Sequence, residues 1–273
     1  MGRYGNRPEG LELFTDAGAV SRFPDMDQVV EADAVILHWI CGVVDVAGGA
    51  FARLKGKAVV WVLHDMNPFT GGCHYSMDCD RYTRACGACP QLGSRRSADL
   101  SRRVFEGKLR AYADLDFTVV TPSHWLAEKA GASSLMRGRA IEVVPNSVPT
   151  DIFRPMDRAV SRSKLGIPSS ASVILFGAES LGNRRKGIGH LLGALDILAA
   201  RKPDQDIALL TFGGGGGPEG LPFPVFHAGI VRDETELAAV YAAADVLALP
   251  SLADNLPNVA LEAMACGLPT VCF

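Results

Sequence analysis

Long apolar runs are missing from this 273-residue chain. The best candidate, residues 34–47, is interrupted by His38 and Asp45, so nothing reads as a helix able to cross a bilayer. No secretory leader is legible, because the N-terminus is polar and rich in Gly and Arg. Neither sign of charge dominates: the formal net charge of -3 offers no footprint for nucleic acid. A repeat of fixed period is lacking, and no G-x-G-x-x-G opens a helix. These absences leave a cytoplasmic protein as the expectation, so its seven Cys residues are read in a reducing compartment.

What remains is globular in composition, 48% apolar and 21% charged, at a length that suits two domains rather than one core. Apolar runs at 34–40, 57–63, 117–121 and 141–145 read as strands. Helical spacing covers 50–55, 99–115 and 123–130, the longest with Leu100, Val104, Leu109 and Tyr112 on one side. A stretch at 146–155 with Pro149 and Pro155 reads as a linker, and the pattern then restarts. Strands are predicted at 172–176, 207–212, 224–226 and 246–249, and helices at 158–165, 189–201, 234–244 and from Pro257 to Gly267. Strands alternating with helices give parallel βαβ units. The fold class expected is α/β, with a domain at 1–150 that contains a Cys-rich loop at 66–98, and a second at 151–273. Both are Rossmann-like and face a cleft, where ligands sit beyond the carboxyl ends of the strands. Residues 1–30 supply neither the opening strand nor the Gly-rich turn of such a domain, and the chain stops inside an expected strand at Thr270-Val271-Cys272-Phe273. A piece of a longer protein, truncated at both ends, is therefore expected.

The organising stretch runs from Pro250 to Gly267. Its polar loop offers Asp254 and Asn255 as helix caps, and Pro257 suits a first helical position. The helix N-terminus so delivered to a sheet edge is a place for an anion. Glu262 stands among Val259, Ala260, Leu261, Ala263, Met264 and Ala265, and a carboxylate in an apolar run needs a partner. It leans back toward the loop that holds Asp254. Two acids beside backbone amides suit a ligand carrying both hydroxyls and phosphates; an ordinary surface Glu is the plain alternative. Arg184-Arg185-Lys186-Gly187 places cations at a helix N-terminus, where the dipole disfavours them, so a diphosphate there explains them, and a solvated basic turn is the rival.

His64 ends a strand beside Asp65 and suits hydrogen bonding to a sugar hydroxyl or tuning of a reacting group. His38 reads as structural. Gly213 to Gly217 follows a strand and reads either as a loop letting a flat ring approach or as a tight turn. Cys73, Cys79, Cys86 and Cys89 are spaced C-x5-C-x6-C-x2-C, which is compatible with a closed structural zinc cage and with free thiols forming one labile disulfide. Asp78-Cys79-Asp80 is a DxD inside that loop and reads as surface charge.

Together these residues resemble retaining glycosyltransferases of the GT-B family 4, also called glycosyltransferase group 1, over residues 34–273. The family's Glu-x7-Glu motif is matched by Asp254 and Glu262. The resemblance implies that Glu262 holds the donor ribose, that Asp254 lies near the donor sugar, and that Asn255 and Leu256 offer amides. Lys186 and either Arg185 or Arg184 match the basic pair on the donor diphosphate, and His64 matches a His near donor sugar and acceptor. The stretch Leu63-His64-Asp65-Met66-Asn67-Pro68-Phe69-Thr70-Gly71-Gly72-Cys73-His74-Tyr75 resembles a Cys-rich subgroup of surface-polysaccharide assembly. Thr121-Pro122-Ser123-His124-Trp125 and Val144-Pro145-Asn146-Ser147-Val148 resemble the usual ends of its N-domain.

The reaction implied is transfer of a sugar from a nucleoside diphosphate sugar to a glycan or lipid-linked acceptor, with retention and without a catalytic metal. A peripheral contact with the inner membrane face goes with such acceptors. The rivals are a GT-B epimerase acting on the nucleotide sugar, and a non-catalytic module that binds nucleotide without turnover.

Overall fold

The structure is a computed structural model and describes residues 7, 12–16, 27–47, 49–202 and 205–272. The chain divides into two compact units, one running to Pro145 and the other starting at Asn146. The expectations for residues 1–30 fall mostly outside the described residues.

In the first unit, β1 (Ala34–Leu37), β2 (Ala58–Val62), β3 (Thr118–Thr121) and β4 (Ile141–Val143) form a parallel sheet in that spatial order. A short helix α1 (Asp27–Glu31) precedes β1, while α2 (Leu100–Ala113) and α3 (His124–Ala132) cross between later strands. Asp99 and Ser123 start α2 and α3 by accepting from Arg102 N–H and Leu126 N–H. The segment expected as a helix at 50–55 is a 3-10 turn, Ala50–Leu54. Trp61 centres the core, flanked by Phe51, Tyr112 and Phe117 with ring centroids 5.4 to 5.6 Å away.

The buried side of α2 differs from the expectation in one respect. Leu109 is exposed, whereas Lys108 is buried between Val104 and Tyr112 in the i, i+4 row. Its ammonium nitrogen donates to the Asn67 carbonyl at 2.5 Å, to Asn67 Oδ1 at 3.2 Å and to the Thr70 carbonyl at 3.1 Å. These acceptors belong to the Cys-rich loop, so a polar anchor takes a core position because the loop packed on α2 presents carbonyls there.

The second unit contains α4 (Arg158–Leu165), β5 (Ser172–Ser180), α5 (Ile188–Arg201), β6 (Ile207–Gly214), β7 (Val225–His227), α6 (Glu234–Ala243), β8 (Val246–Leu249), α7 (Asn258–Ala265) and β9 (Thr270–Cys272). Its parallel sheet runs β7-β6-β5-β8-β9. The first strand of the unit is central, later strands add first on one side and then on the other, and this is the doubly wound Rossmann-like order. β9, expected as a core strand, lies at the end of the sheet order with Val271 exposed. The stretch expected as a linker packs on this unit: Phe153 is buried in its core, with Val148 and Ile152 against it.

Gly213 lies within β6 rather than in the loop after it. Its φ is +123°, and a Cβ there would come within 1.7 Å of the Ala178 carbonyl oxygen on β5. Close approach of two strands, rather than of a ring, requires glycine at this position.

Candidate functional site

In a doubly wound sheet the strand order reverses between two neighbouring strands, and the loops leaving their carboxyl ends splay to opposite faces and open a crevice. Here those neighbours are β5 and β8. The loop after β5 holds the basic turn, and the loop after β8 holds Asp254. The topology therefore brings four of the expected site residues, Arg185, Lys186, Asp254 and Asn255, to one edge of the second unit.

Two backbone devices join these loops. Gly187 has φ +76°, and its missing Cβ would stand 1.8 Å from the Pro250 carbonyl oxygen. Leu252 N–H donates to the Arg185 carbonyl at 2.8 Å. Asn183 Oδ1 accepts from Arg185 N–H at 3.0 Å and starts the 3-10 turn Arg184–Lys186. Side chains complete the joint. Arg185 Nη1 donates to the Ala253 carbonyl at 2.7 Å and stands 3.4 Å from Asp254 Oδ1, while Lys186 Nζ donates to Asp254 Oδ2 at 2.5 Å. Ser251 Oγ donates to the same Oδ2 at 3.3 Å. The anion beside the basic turn in this structure is thus the Asp254 carboxylate.

Asp254 and Asn255 do not cap α7, as the sequence suggested. Pro257 is the N-cap and supplies no side-chain acceptor, because the loop draws Asp254 away to the cations. At the other end Gly267 follows the C-cap with φ +76°, and Leu268 N–H reaches the Ala263 carbonyl, so the expected glycine stop is present. Asn146 Nδ2 donates to Asn258 Oδ1 at 2.9 Å and to the Leu256 carbonyl at 3.3 Å, which steadies the loop just before α7.

Glu262, half-buried on α7, has the partner its apolar surroundings require: the Tyr241 hydroxyl donates to its Oε2 at 2.6 Å. Burial raises the Glu262 pKa, the Tyr241 hydrogen bond works against that, and nearby Glu234 adds to it. Tyr241 itself is fully buried on α6, edge-on to Phe212 and Phe153. Sequence reading missed Tyr241, since a Tyr inside an apolar helix gives no sign of which acid its hydroxyl will meet.

In the first unit His64 follows β2, next to Asp65. Its Nε2 pairs with His38 Nδ1 at 3.0 Å, so His38 has a partner role that the sequence did not reveal. Burial, then His38, lower the His64 pKa, and Asp65 opposes them. The Asp65 carboxylate turns to the Cys-rich loop and the segment after β1: it accepts from Trp39 Nε1 at 2.8 Å and Asn67 N–H at 2.8 Å, and pairs with His74 Nδ1 at 2.6 Å.

Cys73, Cys79, Cys86 and Cys89 are free thiols that line one small pocket with Arg81 and Tyr82. Cys86 Sγ accepts from Gly71 N–H at 3.2 Å. Burial raises the pKa of Cys73 and of Cys86 to about 12, so both are held as neutral thiols. Among the described residues no group of three or more His, Cys, Asp or Glu side chains is arranged to hold a metal ion. As they stand, the thiols do not form the cage that a zinc ion needs, and no role is derived for one. The loop is instead tied by Lys108, by the Asp65–His74 pair, and by Asp99 accepting from Cys89 N–H and Ser101 Oγ. Asp78 and Asp80 are exposed, as the surface reading of the DxD expected.

The sequence of the second unit matches a known family model, glycosyl transferases group 1, over residues 171–273. Residues 171–273 carry a glycosyl transferases group 1 domain. The β5–β8 edge and the whole of the Arg185–Lys186–Asp254 cluster lie inside this group 1 domain. Among curated proteins, the chain is 34% identical over 184 residues to D-inositol 3-phosphate glycosyltransferase of Segniliparus rotundus, covering 63% of this chain and 39% of the relative. It is 28% identical over 245 residues to the protein of that name from an Arthrobacter species, covering 86% and 52%. The chain thus spans about half or less of the length of these two relatives. Among solved structures, sucrose-phosphate synthase from Thermosynechococcus elongatus superposes with TM-score 0.57 at 22% identity, over 88% of this chain and 55% of that one. HepE of Anabaena, solved with UDP-glucose, superposes with TM-score 0.53 at 20% identity, over 90% and 61%. These likenesses, extending across both units, show the GT-B fold.

Proposed function

We propose that the protein is a glycosyltransferase that moves a sugar from a nucleoside diphosphate sugar to an acceptor hydroxyl. The reading gives Arg185 and Lys186 to the donor diphosphate, Glu262 to its ribose, Asn255 and Leu256 to amide contacts, and Asp254 and His64 to the reacting sugar. One observation carries it: in the group 1 domain two cations and a carboxylate converge at the point where the strand order reverses. Without donor, Asp254 pairs with both cations and offsets half of their charge. A diphosphate brings more negative charge than one carboxylate and displaces it, which releases Asp254 to accept from sugar hydroxyls.

Bond cleavage leaves negative charge on the diphosphate and positive charge on the sugar, so cations already held in place lower the barrier. The chain supplies those cations itself, and the reading assigns no metal to the chemistry. Retention follows if the acceptor attacks the face that the diphosphate leaves, with the leaving phosphate taking the acceptor proton. The Cys-rich stretch supports a glycan or lipid-linked acceptor of surface-polysaccharide assembly, reached in the cytoplasm at the inner membrane face. The names of the curated relatives support a second acceptor class, a phosphorylated cyclitol.

The test is release of nucleoside diphosphate from a panel of nucleotide sugars, with and without glycan, lipid-linked and cyclitol phosphate acceptors. Lys186→Ala and Glu262→Ala each lower turnover at least about tenfold, or about 1.4 kcal/mol in the barrier. Unchanged turnover in both variants refutes the assignment. Epimerised donor formed without acceptor identifies the epimerase rival, and nucleotide binding without sugar release identifies the non-catalytic one.

A further inference from the structure

Two residues immediately follow β1 and two more follow β2 just past its end. They pair across the sheet edge, His38 with His64 and Trp39 with Asp65. The first pair is the unusual one. The two imidazole rings have centroids 5.3 Å apart at an interplanar angle of 31°, and a single hydrogen bond of 3.0 Å joins His38 Nδ1 to His64 Nε2. Both side chains belong to exposed residues, so apolar packing alone does not hold them in register.

We propose that His38 is a positioning residue for His64: it fixes the orientation of the His64 ring and decides which of its nitrogens carries the proton. The inference rests on the proposed function only in giving His64 a reacting sugar to meet.

A hydrogen bond between two imidazoles contains one proton and one lone pair, so it forms only when at least one ring is neutral. Nε2 of His64 is committed to the pair, and any other group that His64 contacts is met through Nδ1. If Nε2 carries the pair's proton, Nδ1 is an acceptor; if His38 Nδ1 carries it, Nδ1 of His64 is the donor. Either way His38 sets the chemistry of the opposite nitrogen, as a second partner does for a metal-bound or catalytic imidazole. The Trp39–Asp65 bond reinforces this arrangement, because it ties the next residue of each segment and leaves little freedom for the backbone carrying the two rings. Among the groups bearing on His64 are His38 from the segment after β1 and Asp65 from its own segment, and they act in opposite directions. Desolvation and His38 outweigh Asp65, so the His64 pKa is lowered.

Nitrogen-15 NMR of histidine-labelled protein reads the tautomer and the titration midpoint of His64 directly, without substrate. In the wild type one tautomer is expected, with a midpoint below that of a free imidazole. His38→Ala is expected to mix the tautomers and raise the midpoint, since a lowering influence is removed. His38→Gln retains a hydrogen-bonding partner without its charge, so it is expected to keep a single tautomer while the midpoint still rises. It also supplies the reading if His38→Ala does not fold. An unchanged tautomer and midpoint in the folded variants overturns the proposal. In glycosyl transfer, the acid limb of the kcat/KM profile moves with the NMR midpoint, and Gln restores more activity than Ala. Shifts in the NMR spectrum without sugar transfer by any variant reject the proposed function and leave the His38–His64 relation standing.

Discussion

Lys186 stands one residue before the N-cap of α5, where the helix dipole repels a cation. The Asp254 carboxylate offsets that repulsion; in the proposed function the same pairing holds the cation ready for the donor diphosphate. Glu262 meets a comparable need in another way. Its half-buried carboxylate is kept usable by a single neutral donor, the Tyr241 hydroxyl. Tyr241→Phe removes that donor while leaving the ring in the core, so the Glu262 pKa rises further and the proposed ribose contact weakens. We expect donor affinity to fall by about 0.5–1.5 kcal/mol, the net value of one hydrogen bond, as measured by titration calorimetry with nucleoside diphosphate. Equal affinity in wild type and variant shows that Tyr241 does not serve Glu262.

Among the elements, the turn before α5 and the loop after β8 act as one piece because Gly187 lies against Pro250. Gly187→Ala forces a side chain into the Pro250 carbonyl at positive φ and is expected to destabilise the protein by about 1–3 kcal/mol or more. Gly189→Ala, two residues along, meets nothing within 4 Å and is expected to stabilise by about 0.4–1 kcal/mol. Urea midpoints of the two variants check both signs. The Cys-rich loop depends likewise on α2 through Lys108, whose pKa burial lowers to about 8. Below that value the ammonium is charged in both folded and unfolded chains, and burial of the charge costs stability. As pH rises from about 8 toward 10.5 the folded chain loses the proton while the unfolded chain keeps it, so the contribution of Lys108 to stability increases. Lys108→Met abolishes this increase, worth about 3 kcal/mol across the window, and takes the Lys108 donor from the Thr70 carbonyl and from Asn67, whose carbonyl keeps the Thr70 N–H. Unfolding free energies of wild type and variant at several pH values isolate the difference from other titrating groups.

At the scale of the whole molecule, the buried clusters fall separately in the two units, with Trp61 central to one and the β5–β8 sheet to the other. Every residue assigned to the donor diphosphate and ribose belongs to the second unit. A nucleoside diphosphate is therefore expected to protect residues 181–187 and 250–257 from hydrogen exchange, with a stabilisation of that unit of about 2.7 kcal/mol at a hundred times Kd. Protection confined to the first unit contradicts the placement of the donor. No helix among the described residues is long and apolar enough to cross a membrane.

Strand and helix positions were legible in the sequence because they depend on local pattern: β8 ends just before Pro250, α7 stops before Gly267, and the alternation of elements implies parallel sheets. The resemblance also singled out Arg185, Lys186, Asp254 and Glu262 as a set. Partnerships were not legible, because they join residues far apart in the chain. Lys186 meets Asp254 across 68 positions, Tyr241 meets Glu262 across 21 and His38 meets His64 across 26. Periodicity reports which face of an element is apolar, and so it placed Leu109 inside and overlooked Lys108. Only the folded chain decides which carbonyls, carboxylates and rings lie opposite each other, since that follows from strand order and loop path rather than from the residues next to them.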